Sequence, residues 1–213
     1  MPSLAAGANL IHPLLADVKE TAEHMSAWKL FKTDPMLGPA RGVYAAIIAQ
    51  ARNPVFYEIG GVPDSIDGRF EMATLHSFLV LRRLRQLGAP AEALSQALVD
   101  TFFADMDASL REMGAGDLGV GKRVKGLATA FYGRVAAYES AASADELAQA
   151  LQRNLFGTVS PTPPQLRAMV QYAGAARGAL AGQSLNEFLA ARLAFPAPDY
   201  RDQPAKAISD EVP

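Results

Sequence analysis

The sequence predicts an all-α protein, a single-domain helical bundle of about seven to eight helices. Three observations carry that reading. Alanine, the best helix former, supplies about 40 of the 213 residues. Apolar residues recur at spacings of three and four along most of the chain. No run of β-branched residues alternates with polar ones, and no Asn-Gly or Asp-Gly pair joins two such runs. With 50% apolar and 20% charged residues the chain has the composition of a globular domain rather than a disordered one.

The elements follow in order. Residues 1–9 read as frayed. Leu10 to Phe31 reads as a first helix through Ile11, Leu14, Leu15, Val18, Ala22, Met25 and Trp28, with Pro13 in its first turn. Trp28 beside Leu30 and Phe31 either packs on the bundle or anchors at a membrane interface. Thr33-Asp34-Pro35 and Leu37-Gly38-Pro39 break the chain, and a second helix runs from about Ala40 to Arg52. Val55-Phe56-Tyr57 makes a helical turn after Pro54. The helix over Asp67–Leu87 is apolar nearly all round and so belongs in the centre of a bundle, ending at Gly88. Pro90 opens a helix to Glu112 or Met113, Gly114-Ala115-Gly116 breaks it, and Asp117 caps the next helix, to Ala142. Ser143 caps a helix over Asp145–Asn154. Pro161-Thr162-Pro163-Pro164 leads into a helix over Gln165–Ala181, and Ser184 caps a last one over Leu185–Leu193. The tail beyond Phe195 reads as unstructured. The chain thus divides into an N-terminal extension (1–39), a helical domain (40–181), a short C-terminal helix (182–195) and a tail (196–213).

Composition excludes several functions. Cysteine is absent, which removes disulfides, thiolate metal sites, iron–sulfur clusters and a cysteine nucleophile. Three histidines are too few for a multi-histidine metal centre, and no cofactor is expected. A net charge of -2 argues against a dedicated DNA binder. No apolar stretch reaches the ~18–20 residues of a membrane helix, so the expected location is the cytoplasm, with peripheral contact at the inner face of the inner membrane left open.

Helical geometry singles out a few polar side chains. On the helix 90–113, Asp105 and Ser109 fall inside the stripe of Leu94, Leu98, Phe102, Met106 and Met113, while Asp100 and Asp107 point away. A carboxylate in an apolar stripe requires a partner, so Asp105 either meets a cation inside the bundle or faces a cleft. On the helix 67–87, Arg69, His76 and Arg83 are seven apart and form a polar seam that could supply that partner or line a groove. His76 alone reads as a satisfied core histidine sooner than a catalytic one. Arg82, Arg83 and Arg85, with Lys122, Arg123, Lys125 and Arg134, make basic patches, either solvated faces or docking surfaces for RNA or anionic lipid.

Two motif matches fail on context. Gly116 to Lys122 has the spacing of a phosphate-binding loop, but Arg123 stands where Ser or Thr is needed and the segment follows a helix. Asp105-Met106-Asp107 has the look of an Asp-rich Mg²⁺–diphosphate motif, yet its carboxylates point opposite ways and no second box follows.

Two stretches together resemble a known family. One is Val62-Pro63-Asp64-Ser65-Ile66-Asp67-Gly68-Arg69-Phe70-Glu71, followed by Leu75-His76 and Leu81-Arg82-Arg83-Leu84. The other runs from Phe103 through Asp105, Asp107, Leu110-Arg111-Glu112, Asp117, Gly121-Lys122 and Lys125 to Phe131-Tyr132-Gly133-Arg134. They resemble the ubiquinol–cytochrome c chaperone family over roughly residues 40–180, and the composition and lack of a presequence suggest a bacterial member. The resemblance implies a non-enzymatic assembly factor for the cytochrome bc1 complex that binds newly made cytochrome b. It also implies possible contact with the ribosome or its rRNA and with a small partner protein. Arg69, His76, Asp105, Arg111, Glu112, Asp117, Lys122 and Lys125 lie in the two stretches and are the expected protein-interaction residues. The competing reading is an all-helical lyase or transferase on an isoprenoid- or quinone-like substrate, with Asp105 and His76 as acid and base. A closed cavity lined by both would favour it.

Overall fold

The computed structural model describes residues 34–112 and 117–200, the side chains of 117 and 118 excepted. The expected helix over Leu10–Phe31 with Trp28, the Gly114–Gly116 break and the chain beyond Tyr200 lie outside the described residues.

Among the described residues every regular element is helical. They are α1 (Leu37–Ala51), α2 (Val55–Glu58), α3 (Ile66–Gln86), a 3₁₀ turn (Ala89–Ala91), α4 (Glu92–Glu112), α5 (Asp117–Ser140), α6 (Ala144–Asn154), α7 (Pro163–Ala181) and α8 (Leu185–Leu189). α1 starts at Leu37, three residues earlier than the sequence suggests. Pro39 sits in its first turn, where the missing N–H would have no partner anyway. Pro163 and Pro164 open α7 for the same reason. Caps explain most other starts. Ser65 accepts from the Gly68 N–H (3.1 Å), and Ser143 accepts from that of Glu146 (3.2 Å). Thr162 and Gln165 cap each other at the head of α7. Gly88 leaves α3 at φ 73°, a conformation that L side chains avoid.

α3 is the central rod. Every residue from Phe70 to Leu81 is buried, and α1, α4, α5 and α7 all pack against it. α6 bridges α5 and α7, and α8 closes on α1. The core of α4 and α5 is aromatic. Phe102 meets Phe131 at 4.8 Å, Phe103 at 5.4 Å, Tyr44 at 6.0 Å and Phe70 at 6.1 Å, mostly edge to face. One apolar cluster extends from Ala40 to Tyr200, and a satellite of Leu110, Val120 and Val124 sits beneath the far end of α4 and α5.

Two expectations at the C-terminal end change. The last helix stops at Leu189, because Ala191 turns to φ 54°. The chain beyond Phe195 is not free as far as Tyr200. The Gln183 amide brackets it through the Arg192 carbonyl (2.6 Å) and the Ala194 N–H (2.9 Å). Gln50 donates to the Pro196 carbonyl at 3.1 Å, and Tyr200 is buried. Proline and aspartate suggested a loose tail; two glutamine side chains and the buried Tyr200 ring hold it instead.

The entry to α3 depends on a missing side chain. A Cβ on Gly68 would overlap the Pro63 carbonyl oxygen, a backbone atom that cannot swing away. Gly68→Ala is expected to cost about 2 kcal/mol or more. Thermal unfolding measures it, and an unchanged midpoint would show that the 62–68 turn relaxes freely.

Candidate interaction surface

The polar residues singled out from sequence separate into a surface set and an interior set. Arg69 is exposed and pairs with Asp64 at 2.8 Å across its own helix entry, each side chain 58% exposed. Such a pair contributes little to stability. Arg111 pairs with Asp107 one turn back (2.7 Å). Glu112, Lys122, Arg123 and Lys125 are exposed along the same end of α4 and α5. Asp117 is the first residue of α5, and its side chain lies outside the described residues. The structure therefore places Arg111, Glu112, Lys122 and Lys125 at one end of the α4–α5 pair, above the satellite core of Leu110, Val120 and Val124.

Asp105 differs from expectation. It is exposed, and its partner is a neutral donor, the Tyr44 hydroxyl of α1 at 2.8 Å. The stripe geometry is sound, but α1 crosses α4 at a level that leaves this position at the rim. Water and one phenol are enough there, and no cation is needed. The contact holds the Tyr44 hydroxyl protonated well above its ordinary pKa, through burial first and the Asp105 hydrogen bond second. Asp105→Ala is expected to lower stability by only about 1 kcal/mol, the worth of one half-exposed hydrogen bond. A loss above about 3 kcal/mol in denaturant unfolding would show a buried role instead.

His76 is entirely interior, at 0% exposure. Its Nδ1–H donates to the Met72 carbonyl (2.8 Å), and its Nε2 accepts from the Tyr172 hydroxyl (2.7 Å). The Tyr172 oxygen in turn accepts from the Gln50 amide (2.9 Å). The rings of Phe56 and Phe195 flank the imidazole at 5.6 and 5.2 Å. Burial lowers its pKa to about 4, against the opposing effect of the Met72 carbonyl. A residue so enclosed cannot touch a partner, so His76 leaves the contact set and ties α3, α7, α1 and the C-terminal strap together.

The anticipated seam does not act as a unit either. Arg69 faces water, His76 faces the core, and Arg83 donates twice to the Gln183 carbonyl (3.0 and 2.7 Å). None of the three meets Asp105. The sequence reading also overlooked the interior charge of α3. Glu71, 8% exposed at its side chain, takes three hydrogen bonds from Arg134 of α5 (2.8, 3.0 and 3.2 Å). Burial raises its pKa, and Arg134 opposes the rise without cancelling it. A carboxylate in an all-round apolar helix was the available signal, the same one that drew attention to Asp105. Glu71 and Arg134 form part of the wall of an open cleft of about 300 Å³, with Asp67, Phe70, Leu127 and Arg153. Neither His76 nor Asp105 lines it; His76 is sealed in the core and Asp105 is exposed at the rim. Among the described residues no three His, Asp or Glu side chains converge where a metal ion could bind. No described helix is long and apolar enough to cross a membrane.

Comparison with known proteins places this arrangement. The sequence profile described as "Ubiquinol-cytochrome C chaperone" matches residues 58–195, from the end of α2 through Phe195. The ubiquinol-cytochrome-c reductase complex assembly factor 1 of Xenopus laevis is 24% identical over 132 residues, 61% of this chain and 66% of that protein. The Mus musculus protein of the same name is 24% identical over 132 residues, which cover 45% of its length. The chain thus spans just under two thirds of one curated relative and under half of the other. The crystal structure of the Cbp3 homolog from Brucella abortus superposes with a TM-score of 0.67 at 36% identity, covering 86% of this chain and 96% of that one. With the profile spanning α3 to α8 and a solved relative sharing the whole helical frame, the chain belongs to the ubiquinol–cytochrome c chaperone family.

Proposed function

We propose that this protein is a non-enzymatic assembly factor for the ubiquinol–cytochrome c reductase complex and that it binds newly made cytochrome b. The observation that carries the reading is the family match over residues 58–195, which takes in α3 to α8. The names of the relatives, assembly factors of that complex, support it. The geometry is consistent with a binding protein, since the two groups offered for acid–base chemistry are apart, one sealed in the core and one at the rim.

The binding face we assign is the exposed end of α4 and α5. Arg111, Glu112, Lys122 and Lys125 lie there, with Asp117 at the head of α5. Arg69 and Asp105 extend the polar surface elsewhere on the bundle. Exposed lysines suit a peptide or rRNA surface carrying negative charge and speed association more than they raise affinity. Residence at the inner face of the inner membrane, contact with ribosomes and a small partner protein all belong to the same proposal.

Affinity purification from cells with the bc1 genes present and deleted tests it. The expected result is co-elution of unassembled cytochrome b, weakened several-fold by Lys122→Glu with Lys125→Glu at unchanged melting temperature. Cells lacking the protein that still mature their full complement of bc1 enzyme would overturn the assignment.

A further inference from the structure

A second charged cluster lies apart from that face, and of its members only Arg82 falls in the two sequence stretches that carry the family resemblance. Near the last turns of α3, Arg82 approaches the Glu139 carboxylate of α5 at 3.3 Å, and Arg85 approaches its other oxygen at 3.7 Å. All three side chains are partly sheltered, at 28, 25 and 21% exposure. Arg177 of α7 belongs to the same cluster. Burial, and then repulsion from Arg82, makes its proton less tightly held than usual, with Glu139 acting in the opposite sense. Among the described residues its buried Nε–H has no hydrogen-bond partner, and the Glu139 Oε2 is likewise without a properly directed donor.

The charge balance is uneven. Among the described residues three guanidinium groups share one carboxylate, an excess of two positive charges on half-sheltered side chains of α3, α5 and α7. The carbonyl end of α3 offsets part of this near Arg85. It does little for Arg177, which reaches in from another helix. Interior ion clusters are stable when charges balance and donors are satisfied. Among the described residues this one lacks about two negative charges and has a stranded donor. Guanidinium forks match tetrahedral oxyanions, and a phosphate monoester carries about −1.5 to −2 charges at neutral pH. A carboxylate would supply half of that.

We infer that Arg82, Arg85 and Arg177 form a binding site for a phosphate dianion, with Glu139 setting its affinity. The phosphate is either free, as inorganic phosphate, or the monoester headgroup of a lipid such as phosphatidate. The inference is independent of the assembly role.

Glu139 supplies a test with a sign. If the four residues are a structural ion cluster only, Glu139→Gln changes stability and creates no ligand response. If they form an anion site, removing the competing carboxylate tightens phosphate binding. The experiment uses the full chain at pH 7.5. Calorimetric titration with sodium phosphate is set against sodium chloride at matched ionic strength. Flotation with phosphatidylcholine vesicles is run with and without phosphatidate. Saturable phosphate binding, weakened about 10-fold or more in Arg177→Gln and tightened about 3-fold or more in Glu139→Gln, supports a site for free phosphate. Retention on phosphatidate vesicles alone, with the same ordering of variants, supports a lipid source. No response beyond chloride in either arm, or a response that Glu139→Gln leaves unchanged or weakens, overturns the inference. Because Glu139→Gln keeps the side-chain shape, the test stands even if Arg177→Gln fails to fold.

Discussion

Arg134→Met is expected to destabilise the protein by about 3 kcal/mol, the largest effect of any single substitution considered. The reason is the state in which it leaves Glu71. That carboxylate is 8% exposed, lies on the most deeply buried helix, and receives its hydrogen bonds from Arg134. Without the guanidinium the choice is an unpaired buried anion or a protonated acid, and both cost free energy. Burial already raises its pKa with Arg134 in place, so the variant should carry a Glu71 that titrates higher still. Removing both charges is a different matter. Glu71→Leu combined with Arg134→Met gives back the desolvation cost along with the attraction, and the double variant should lie within about 1 kcal/mol of the parent. Urea unfolding of the three variants checks this. If the double variant were as unstable as Arg134→Met alone, the loss would come from Arg134 packing in the cleft wall and not from a stranded charge.

Acid should unfold the protein partly through His76. Its folded pKa, about 4, lies below the ordinary value of 6.5. Above pH 6.5 the imidazole is neutral in both states and contributes no pH dependence. Between 6.5 and about 4 the unfolded chain binds a proton that the folded chain refuses, so stability falls as pH falls, and below about 4 the effect levels off. The window is worth roughly 3 kcal/mol at 1.36 kcal/mol per pH unit. His76→Gln can keep a bond toward Tyr172 but cannot take up a proton. It is expected to be less stable at pH 7.5 and to lose less on going to pH 4.5 than the parent does. Unfolding free energies at pH 7.5, 5.5 and 4.5 give the comparison. Parallel pH profiles would mean that the parent admits the proton without opening.

The same two residues show where reading a sequence succeeds and where it stops. The helices were legible because each one's apolar spacing and caps are written locally. Ser143 and Ser184 each sit at the head of the helix they were expected to open, and the all-round apolar pattern of α3 marked it as the central rod. His76 as a satisfied core histidine was legible for the same reason. The family was readable from two contiguous stretches. Boundaries slipped where proline fits a first turn, at Pro39 and Pro163, and where Ala191 turns the backbone against its own preference.

By itself, then, the sequence determined the fold class, the order of helices and the central place of α3, since periodicity and capping depend on neighbours three and four residues away. Only the tertiary structure decided the partners. Tyr44 for Asp105 lies 61 residues away, Arg134 for Glu71 lies 63 away, and Tyr172 for His76 lies 96 away. Helix directions say that a polar group leans inward. How far it sinks, and whether a phenol, a guanidinium or water receives it, depends on the level at which a second helix crosses, and no local spacing encodes that height.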